Sequence, residues 1–286
     1  MAPPGFRADP ASEADTAAVA FRCGIGTGRV VKESGRMGSS DSPIVVIASG
    51  FGGVAVCDAI VRLLPKEDTV LLADHAYAPY ARRRPAVVID RLTRLACDVV
   101  AERRPKLVVL ASAQGCADAL EPIRAGLAPV PVIGIDGIVP QAAARSAAGR
   151  IALMTGAGCL RGGQLARALK RERGGGRVTW SAVPGLRELV ESGRDPGSAV
   201  AAEVATLRAA GVDAIALGCP HASAVAAQVK LAAGEQVAVV DSAALAAERV
   251  RRLLMRGGLT TARRRPGRRE LGSTDPAAGQ AGLATR

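Results

Sequence analysis

Short runs of apolar residues alternate along the chain with longer, alanine-rich segments. The first run, Ile44-Val45-Val46-Ile47, is followed by residues 54–64, a segment long enough to form a helix. Seven further runs have the length and β-branched composition of strands: 69–72, 106–110, 130–135, 151–154, 178–182, 214–217 and 237–240. Strands that alternate with helices are typical of parallel sheets covered by helices on both faces. The pattern therefore predicts an α/β fold.

The predicted strands fall into two sets, separated by a helical stretch near residues 139–148. Residues 107–112 of the first set form an apolar strand that ends at Ser112, and residues 214–219 of the second set form a similar strand that ends at Cys219. Ligands of open parallel sheets bind at the carboxyl ends of the strands. We therefore expect a site between two similar domains.

The segments at the two ends of the chain differ from the part between them. Residues 1–42 and 257–286 are rich in small and polar residues without a sustained period, which predicts disordered extensions. Between them we expect a first domain over residues 43–138, completed by 238–256, and a second domain over residues 139–237.

Composition and charge exclude several classes of protein. The chain has 286 residues, and no stretch of 18 apolar residues is free of charge, so a membrane-spanning helix is not predicted. The N-terminus lacks the pattern of a secretory signal, and the six cysteines form no C-x-x-C pair of a zinc ribbon, so we expect a cytoplasmic protein without a metal site. The net charge of +12 lies mainly in residues 251–286, which contain nine arginines. Without interleaved aromatic residues, this arginine-rich tail predicts at most weak contact with nucleic acid.

Four segments carry candidate chemistry. The glycine-rich turn Ser49-Gly50-Phe51-Gly52-Gly53 is either a tight turn or a cradle of N–H groups for a carboxylate or phosphate. In Gly218-Cys219-Pro220-His221, the cysteine is either a thiolate activated by the imidazole or an inert core residue.

The other two segments follow strands of the first set. In Ala111-Ser112-Ala113-Gln114-Gly115-Cys116, Ser112 and Gln114 could bind a ligand, whereas Cys116 is expected to face the core. The segment from Asp74 to Tyr80 is either a rigid loop that faces the substrate or a plain surface loop.

Six short sequences occur in one order: the turn at residues 49–53, Leu63-Leu64-Pro65, the segment from Asp74 to Tyr80, Pro131-Val132-Ile133-Gly134, residues 189–193, and Gly218-Cys219-Pro220-His221. In this order and spacing they resemble the glutamate racemases of the aspartate/glutamate racemase family, over residues 43–254. The resemblance implies two pseudo-symmetric α/β domains with the active site between them and no cofactor. It is also compatible with a homodimer.

The resemblance further implies a reaction. Two cysteines on opposite faces of the α-carbon interconvert L- and D-glutamate, and D-glutamate supplies peptidoglycan synthesis. The matching positions are Ser112, Cys219 and His221 for catalysis, and the cysteine of the second half acts on the L-enantiomer. The positions that match substrate contacts are Ser49, Gly50, Asp74, Tyr80, Ala81, Ala113, Gln114 and Pro220.

The chain departs from the family pattern at the chemical centre. Ser112 stands where the family has its first catalytic cysteine, Ala48 replaces an aspartate, and Pro220 replaces a threonine. A hydroxyl is a far weaker acid than a thiol, and Cys116 lies about 6 Å further along, one helical turn away. Three hypotheses follow: a racemase of reduced or altered activity, a one-cysteine decarboxylase of the same superfamily, or a non-catalytic protein that binds an amino acid, a protein or nucleic acid.

Overall fold

The structure is a computed structural model that describes residues 38–156 and 177–275. Its strands, in chain order, are β1 (Ile44–Ala48), β2 (Thr69–Ala73), β3 (Leu107–Ala111), β4 (Val132–Gly134), β5 (Arg150–Met154), β6 (Arg177–Ser181), β7 (Ala214–Leu217), β8 (Ala238–Asp241) and β9 (Arg269–Ser273). Its helices are α1 (Gly53–Leu63), α2 (Pro85–Arg103), α3 (Ala113–Leu127), α4 (Ile138–Ala143), α5 (Leu186–Glu191), α6 (Gly197–Ala209), α7 (Pro220–Ala224), α8 (Ala226–Ala233) and α9 (Ser242–Arg256).

These strands form two parallel sheets, which confirms the predicted α/β fold. The first sheet has the order β4-β3-β1-β2-β9 and the second has the order β6-β5-β7-β8. Every residue of the central strand β1, Ile-Val-Val-Ile-Ala, is buried. Such continuous apolar strands are expected where helices cover both faces of a parallel sheet.

The strand register brings the candidate residues to one level. Ala48 at the end of β1 pairs with Ala111 at the end of β3, so Ser49 and Ser112 leave the first sheet side by side. In the second sheet, β7 lies between β5 and β8 and ends just before Gly218 and Cys219. A continuous cluster of buried apolar side chains extends from the first sheet into the second, and this cluster fixes the two halves against each other.

The division of the chain between the two sheets differs from the prediction in one part. Residues 238–256 were expected to complete the first domain, but β8 pairs with β7 in the second sheet. Only the following helix, α9, packs against the first half, where it contacts α1. A strand of four residues shows no sheet preference in its sequence, because its partner is chosen by the packing of the whole chain.

The prediction of a disordered tail at residues 257–286 is wrong for residues 257–275. This segment crosses to the first sheet, where β9 pairs in parallel with β2 from Thr69↔Arg269 to Ala73↔Ser273. Ion pairs hold it there: Arg263 pairs with Asp68, and Glu270 pairs with Arg103 of α2 at 2.8 Å. Residues 276–286, like residues 1–37 of the expected N-terminal extension, lie outside the described residues.

A buried ion pair anchors the start of this C-terminal segment. Lys106 and Glu67 contact each other with side chains that are 0% and 2% exposed. Lys106 Nζ also donates to the carbonyl of Leu259 at 3.1 Å, and the N–H of Thr261 donates to Glu67 Oε1 at 2.9 Å. Because each charged group is also hydrogen-bonded to the backbone of residues 259–261, the pair ties this part of the chain to the first sheet.

Candidate active site

A cavity of about 150 Å³ lies between the two sheets, at the carboxyl ends of β1, β3 and β7. Every predicted site residue except Asp74 lines it: Ser49, Gly50, Tyr80, Ala81, Ser112, Ala113, Gln114, Cys219, Pro220 and His221. The two halves of the chain therefore contribute to one site, as the repeated strand ends predict.

Ser112 and Cys219 occupy equivalent positions in the two halves. Ser112 is the N-cap of α3, where its Oγ accepts a hydrogen bond from the N–H of Gly115 at 3.1 Å. Cys219 is the N-cap of α7, where its Sγ accepts from the N–H of Ala222 at 3.5 Å. Each side chain thus accepts a hydrogen bond from an N–H of the first helical turn, which has no backbone acceptor within the helix. Both side chains face the same cavity.

Cys219 belongs to a buried chain of polar groups. His221 Nε2 donates to Glu191 Oε1 at 2.7 Å, and the interaction with the same imidazole lowers the pKa of the Cys219 thiol. Glu191 also accepts from the N–H of Phe51 at 3.0 Å. The thiol of Cys219, the imidazole of His221 and the carboxylate of Glu191 therefore lie next to one another in space. This arrangement activates thiols in nucleophilic and acid/base sites.

The surroundings shift the pKa of each member of this chain. Burial alone would raise the pKa of Cys219, but His221, with a further contribution from the N–H of Ala222, outweighs burial and lowers it. Burial opposes protonation of His221, but Cys219 and Glu191 together raise its pKa to about 9. Burial likewise opposes ionisation of Glu191, yet His221, His75 and the N–H of Phe51 hold its pKa well below the ordinary range. Together these shifts favour the thiolate of Cys219, the imidazolium of His221 and the carboxylate of Glu191.

Replacement of Glu191 by glutamine is expected to lower the pKa of His221 from about 9 by about one to two pH units, because the amide supplies no negative charge. His221 would then lose its proton at a lower pH than in the wild type. An NMR titration of the imidazole protons measures this directly, since the chain contains only two histidines.

Glu188→Gln provides the matched control, because Glu188 lines the cavity without a hydrogen bond to His221. An unchanged midpoint for His221 in Glu191→Gln, or an equal fall in both variants, would contradict the assignment of Glu191 as its partner.

The glycine-rich turn makes room for this chain of groups. A Cβ atom on Gly50 would overlap the Glu191 carboxylate, and one on Gly52 would lie 3.0 Å from the His221 ring. The N–H of Phe51, within the same turn, binds Glu191. The turn therefore holds a carboxylate of the protein itself, while Ser49 and Gly50 line the cavity.

The surroundings of Ser112 differ from those of Cys219. Among the described residues, its Oγ has one hydrogen-bond partner, the N–H of Gly115, which leaves it without a base. Cys116 points away, as predicted, with its Sγ 3.1 Å from the carbonyl oxygen of Leu110. Burial raises the pKa of Cys116 to about 12, so this thiol is neutral and cannot replace a thiolate at Ser112.

Asp74 lies behind the cavity rather than in its wall. Its buried carboxylate accepts from the Tyr80 hydroxyl at 2.9 Å, from Arg91 Nη2 at 2.6 Å and from the Thr274 hydroxyl at 2.8 Å. Asp74 therefore fixes Tyr80, which does line the cavity.

Sequence reasoning missed two residues of the site. Glu191 lies in the Leu-Val-Glu-x-Gly sequence that supports the family resemblance, and a carboxylate in a matched motif was the available signal. The second missed residue is His75, whose Nε2 lies 3.5 Å from Oε2 of Glu191. Nothing in its local sequence indicates this contact.

No cluster of three or more metal-ligating side chains occurs in residues 38–156 and 177–275, and no helix there is long and apolar enough to span a membrane.

Comparison with known proteins identifies relatives of the whole arrangement, although no model of a protein family matches the chain. The chain is 34% identical over 242 residues to the glutamate racemase of Deinococcus radiodurans, which covers 82% of this chain and 83% of the relative. A glutamate racemase isoform from Bacillus anthracis has a TM-score of 0.69 at 25% identity and covers 84% of this chain and 91% of its own. The Thermus thermophilus glutamate racemase, solved with β-chloro-D-alanine, has a TM-score of 0.65 at 27% identity and covers 87% and 94%.

The fold and the site define an α/β protein with a buried thiol, imidazole and carboxylate beside a cavity between two parallel sheets. On the strength of its sequence relatives, the chain belongs to the glutamate racemase family. The resemblance indicated by the six short sequences is confirmed. Members of this family are amino-acid racemases and hence isomerases.

Proposed function

We propose that this protein is a cofactor-independent isomerase that acts on glutamate, with Cys219 as the group that transfers the α-proton. The observation that carries the proposal is the group of Cys219, His221 and Glu191, in which His221 hydrogen-bonds Glu191 and lowers the pKa of the thiol, beside a cavity that Ser112 faces from the other half. Glutamate is the substrate named for the relatives, and the cavity of about 150 Å³ suits a small amino acid. D-glutamate for peptidoglycan is the corresponding product.

In the proposed reaction, Cys219 and Ser112 act on opposite faces of the α-carbon. The Cys219 thiolate takes the α-proton of L-glutamate and becomes a thiol, which leaves the substrate as a carbanion stabilised by its own carboxylate. The N–H groups of the turn that contains Ser49 and Gly50, which lines the cavity, are suited to bind that carboxylate. Return of a proton from Cys219 regenerates L-glutamate, whereas a proton from the Ser112 side gives D-glutamate. Because a hydroxyl is the weaker acid, the second outcome is slow.

Incubation with L-glutamate in deuterated buffer tests this proposal. We expect the α-proton to exchange, as measured by NMR, faster than D-glutamate accumulates, as measured by chiral chromatography. D-glutamate in a parallel incubation should exchange more slowly, because its α-proton faces Ser112. Absence of exchange with both enantiomers would refute glutamate as the substrate.

A one-cysteine decarboxylase is the second candidate. Cys219 is the thiol that lines the cavity among the described residues, and such an enzyme needs a proton from one face only. A substituted malonate would lose carbon dioxide by cleavage of one carbon–carbon bond, and the Cys219 thiol would protonate the resulting enediolate. Release of carbon dioxide from such a malonate, without exchange of glutamate, would favour this candidate over the first.

The remaining expectations stay predictions. A cytoplasmic location is expected from the N-terminal sequence and the cysteine pattern, and a homodimer is compatible with the resemblance. For the expected weak contact with nucleic acid, Arg263 is already paired with Asp68, and Arg269 lies 3.4 Å from Asp58. These pairs leave fewer free cations in the tail than its composition suggests.

A further inference from the structure

We propose that β9, in the C-terminal segment, supplies a positioning residue of the active site, Ser273, which acts on Cys219 through His75, Glu191 and His221. The catalytic meaning of this arrangement rests on the proposed function of Cys219. The arrangement itself is independent of the substrate.

The connection consists of successive short contacts. Ser273 Oγ lies 2.9 Å from His75 Nδ1, although the two residues are 198 positions apart in the chain. The other ring nitrogen of His75, Nε2, lies 3.5 Å from Glu191 Oε2. The second oxygen of the same carboxylate, Oε1, accepts from His221 at 2.7 Å. Glu191 therefore lies between two imidazoles, one from each half of the chain.

Ser273 determines which nitrogen of His75 carries the proton. The Ser273 hydroxyl donates its proton to the carbonyl oxygen of Asp275 at 2.7 Å. Towards His75 the oxygen can therefore only accept, so Nδ1 must be the donor. Nε2 is then the nitrogen turned towards Glu191, and the contact with Ser273 fixes the ring in the orientation that brings it within 3.5 Å of Oε2.

β9 also fixes the backbone that carries His75. Ser273 pairs with Ala73 at the end of β2, and the N–H of Thr274 donates to the carbonyl of Ala73 at 3.0 Å. The Thr274 hydroxyl accepts from the N–H of Ala76 at 3.2 Å and donates to Asp74 at 2.8 Å. The residues on both sides of His75 are thus bound to Thr274, which directly follows β9, and the Phe51 ring packs on the imidazole with the centroids 4.4 Å apart.

Loss of the Ser273–His75 contact has a predictable effect on the thiol. The groups that face Cys219 are His221, the N–H of Ala222 and Thr155, and those that face Glu191 are His221, His75 and the N–H of Phe51. His75 is one of the groups that lower the pKa of Glu191, so its loss makes the carboxylate behind His221 less readily ionised. The thiolate then becomes less favourable, so Cys219 ionises at a higher pH.

The absorbance of thiolate at 240 nm, followed against pH in the full chain without substrate, tests the proposal. Each variant is measured beside the same variant with Cys219→Ser, so that the difference reports this thiol alone. At the pH where half of wild-type Cys219 is ionised, we expect about fivefold less thiolate in His75→Gln and about twofold less in Ser273→Ala. Ser273→Thr keeps the hydroxyl and should restore the wild-type curve.

Glu270→Gln is the matched control, since it removes the exposed Arg103–Glu270 ion pair of the same strand without a change at His75. The proposal is overturned if Ser273→Ala leaves the curve unchanged, or if Glu270→Gln shifts it equally, which would indicate only looser packing of β9. Because no substrate is present, a shifted curve supports the positioning role even in a protein that fails to exchange glutamate, and the two proposals remain separable.

Discussion

Replacement of Cys219 by alanine is expected to reduce exchange of the α-proton of L-glutamate by about a thousandfold or more. The alanine variant has no group at the end of β7 that can take a proton, and water cannot replace a thiolate held by His221 and Glu191. The rate is measured by NMR in deuterated buffer, at saturating L-glutamate.

Cys116→Ala is the matched control for this prediction. Cys116 is a buried thiol whose Sγ hydrogen-bonds the Leu110 carbonyl and whose pKa is raised to about 12, so its loss should leave exchange nearly unchanged. Exchange that persists in Cys219→Ala, or that disappears equally in Cys116→Ala, would show that Cys219 is not the base.

Replacement of Ser112 by cysteine is expected to increase the conversion of L- to D-glutamate by about a hundredfold. The new thiol would occupy the N-cap of α3, where the partial positive charge of the helix start favours a thiolate. It would face the cavity opposite Cys219 and could donate its proton to the other face of the carbanion. Chiral chromatography of the product measures the gain.

Two controls accompany this variant. Ala113→Cys adds a thiol to the wall of the same cavity but outside the N-cap position, and it should not raise the rate. Ser112→Ala shows how much the hydroxyl itself contributes. If Ser112→Cys converts glutamate no faster than the wild type, the serine is not what limits racemisation.

The central strands could be predicted from the sequence because each is a short apolar run that is buried on both sides. The prediction for residues 214–217 coincides with β7, and those for the runs that begin at Ile44 and Thr69 differ from β1 and β2 by one residue. The helical stretch near residues 139–148 is shorter in the structure, where α4 ends at Ala143. An alanine-rich segment favours a helix, but the packing decides where the helix ends.

β9 could not be predicted, because its sequence, Arg-Glu-Leu-Gly-Ser, contains one large apolar residue. It is held by pairing with β2 and by charged partners from distant parts of the chain, such as Asp58, which lies 3.4 Å from Arg269. Composition indicates how much apolar surface a segment can bury, but it does not indicate which other parts of the chain the segment contacts.

The candidate site was only partly predictable for the same reason. Residues that follow directly after a strand, such as Ser112 and Cys219, are placed by the alternation of strands and helices. Glu191 is held at the site by a hydrogen bond from the N–H of Phe51, which is 140 positions away in the chain. Local sequence does not encode such a meeting, so Glu191 was recognised as part of a motif but not as the partner of His221.

The position of β9 also bears on the solubility of the protein. Without β9, β2 would be the outermost strand and would present a row of unpaired backbone groups to other molecules, which is a common route to aggregation. β9 covers that row, and its own outer edge begins with the charged, exposed residues Arg269 and Glu270. Charged residues on a short edge strand disfavour the addition of a further strand. The C-terminal segment therefore protects the first sheet from self-association.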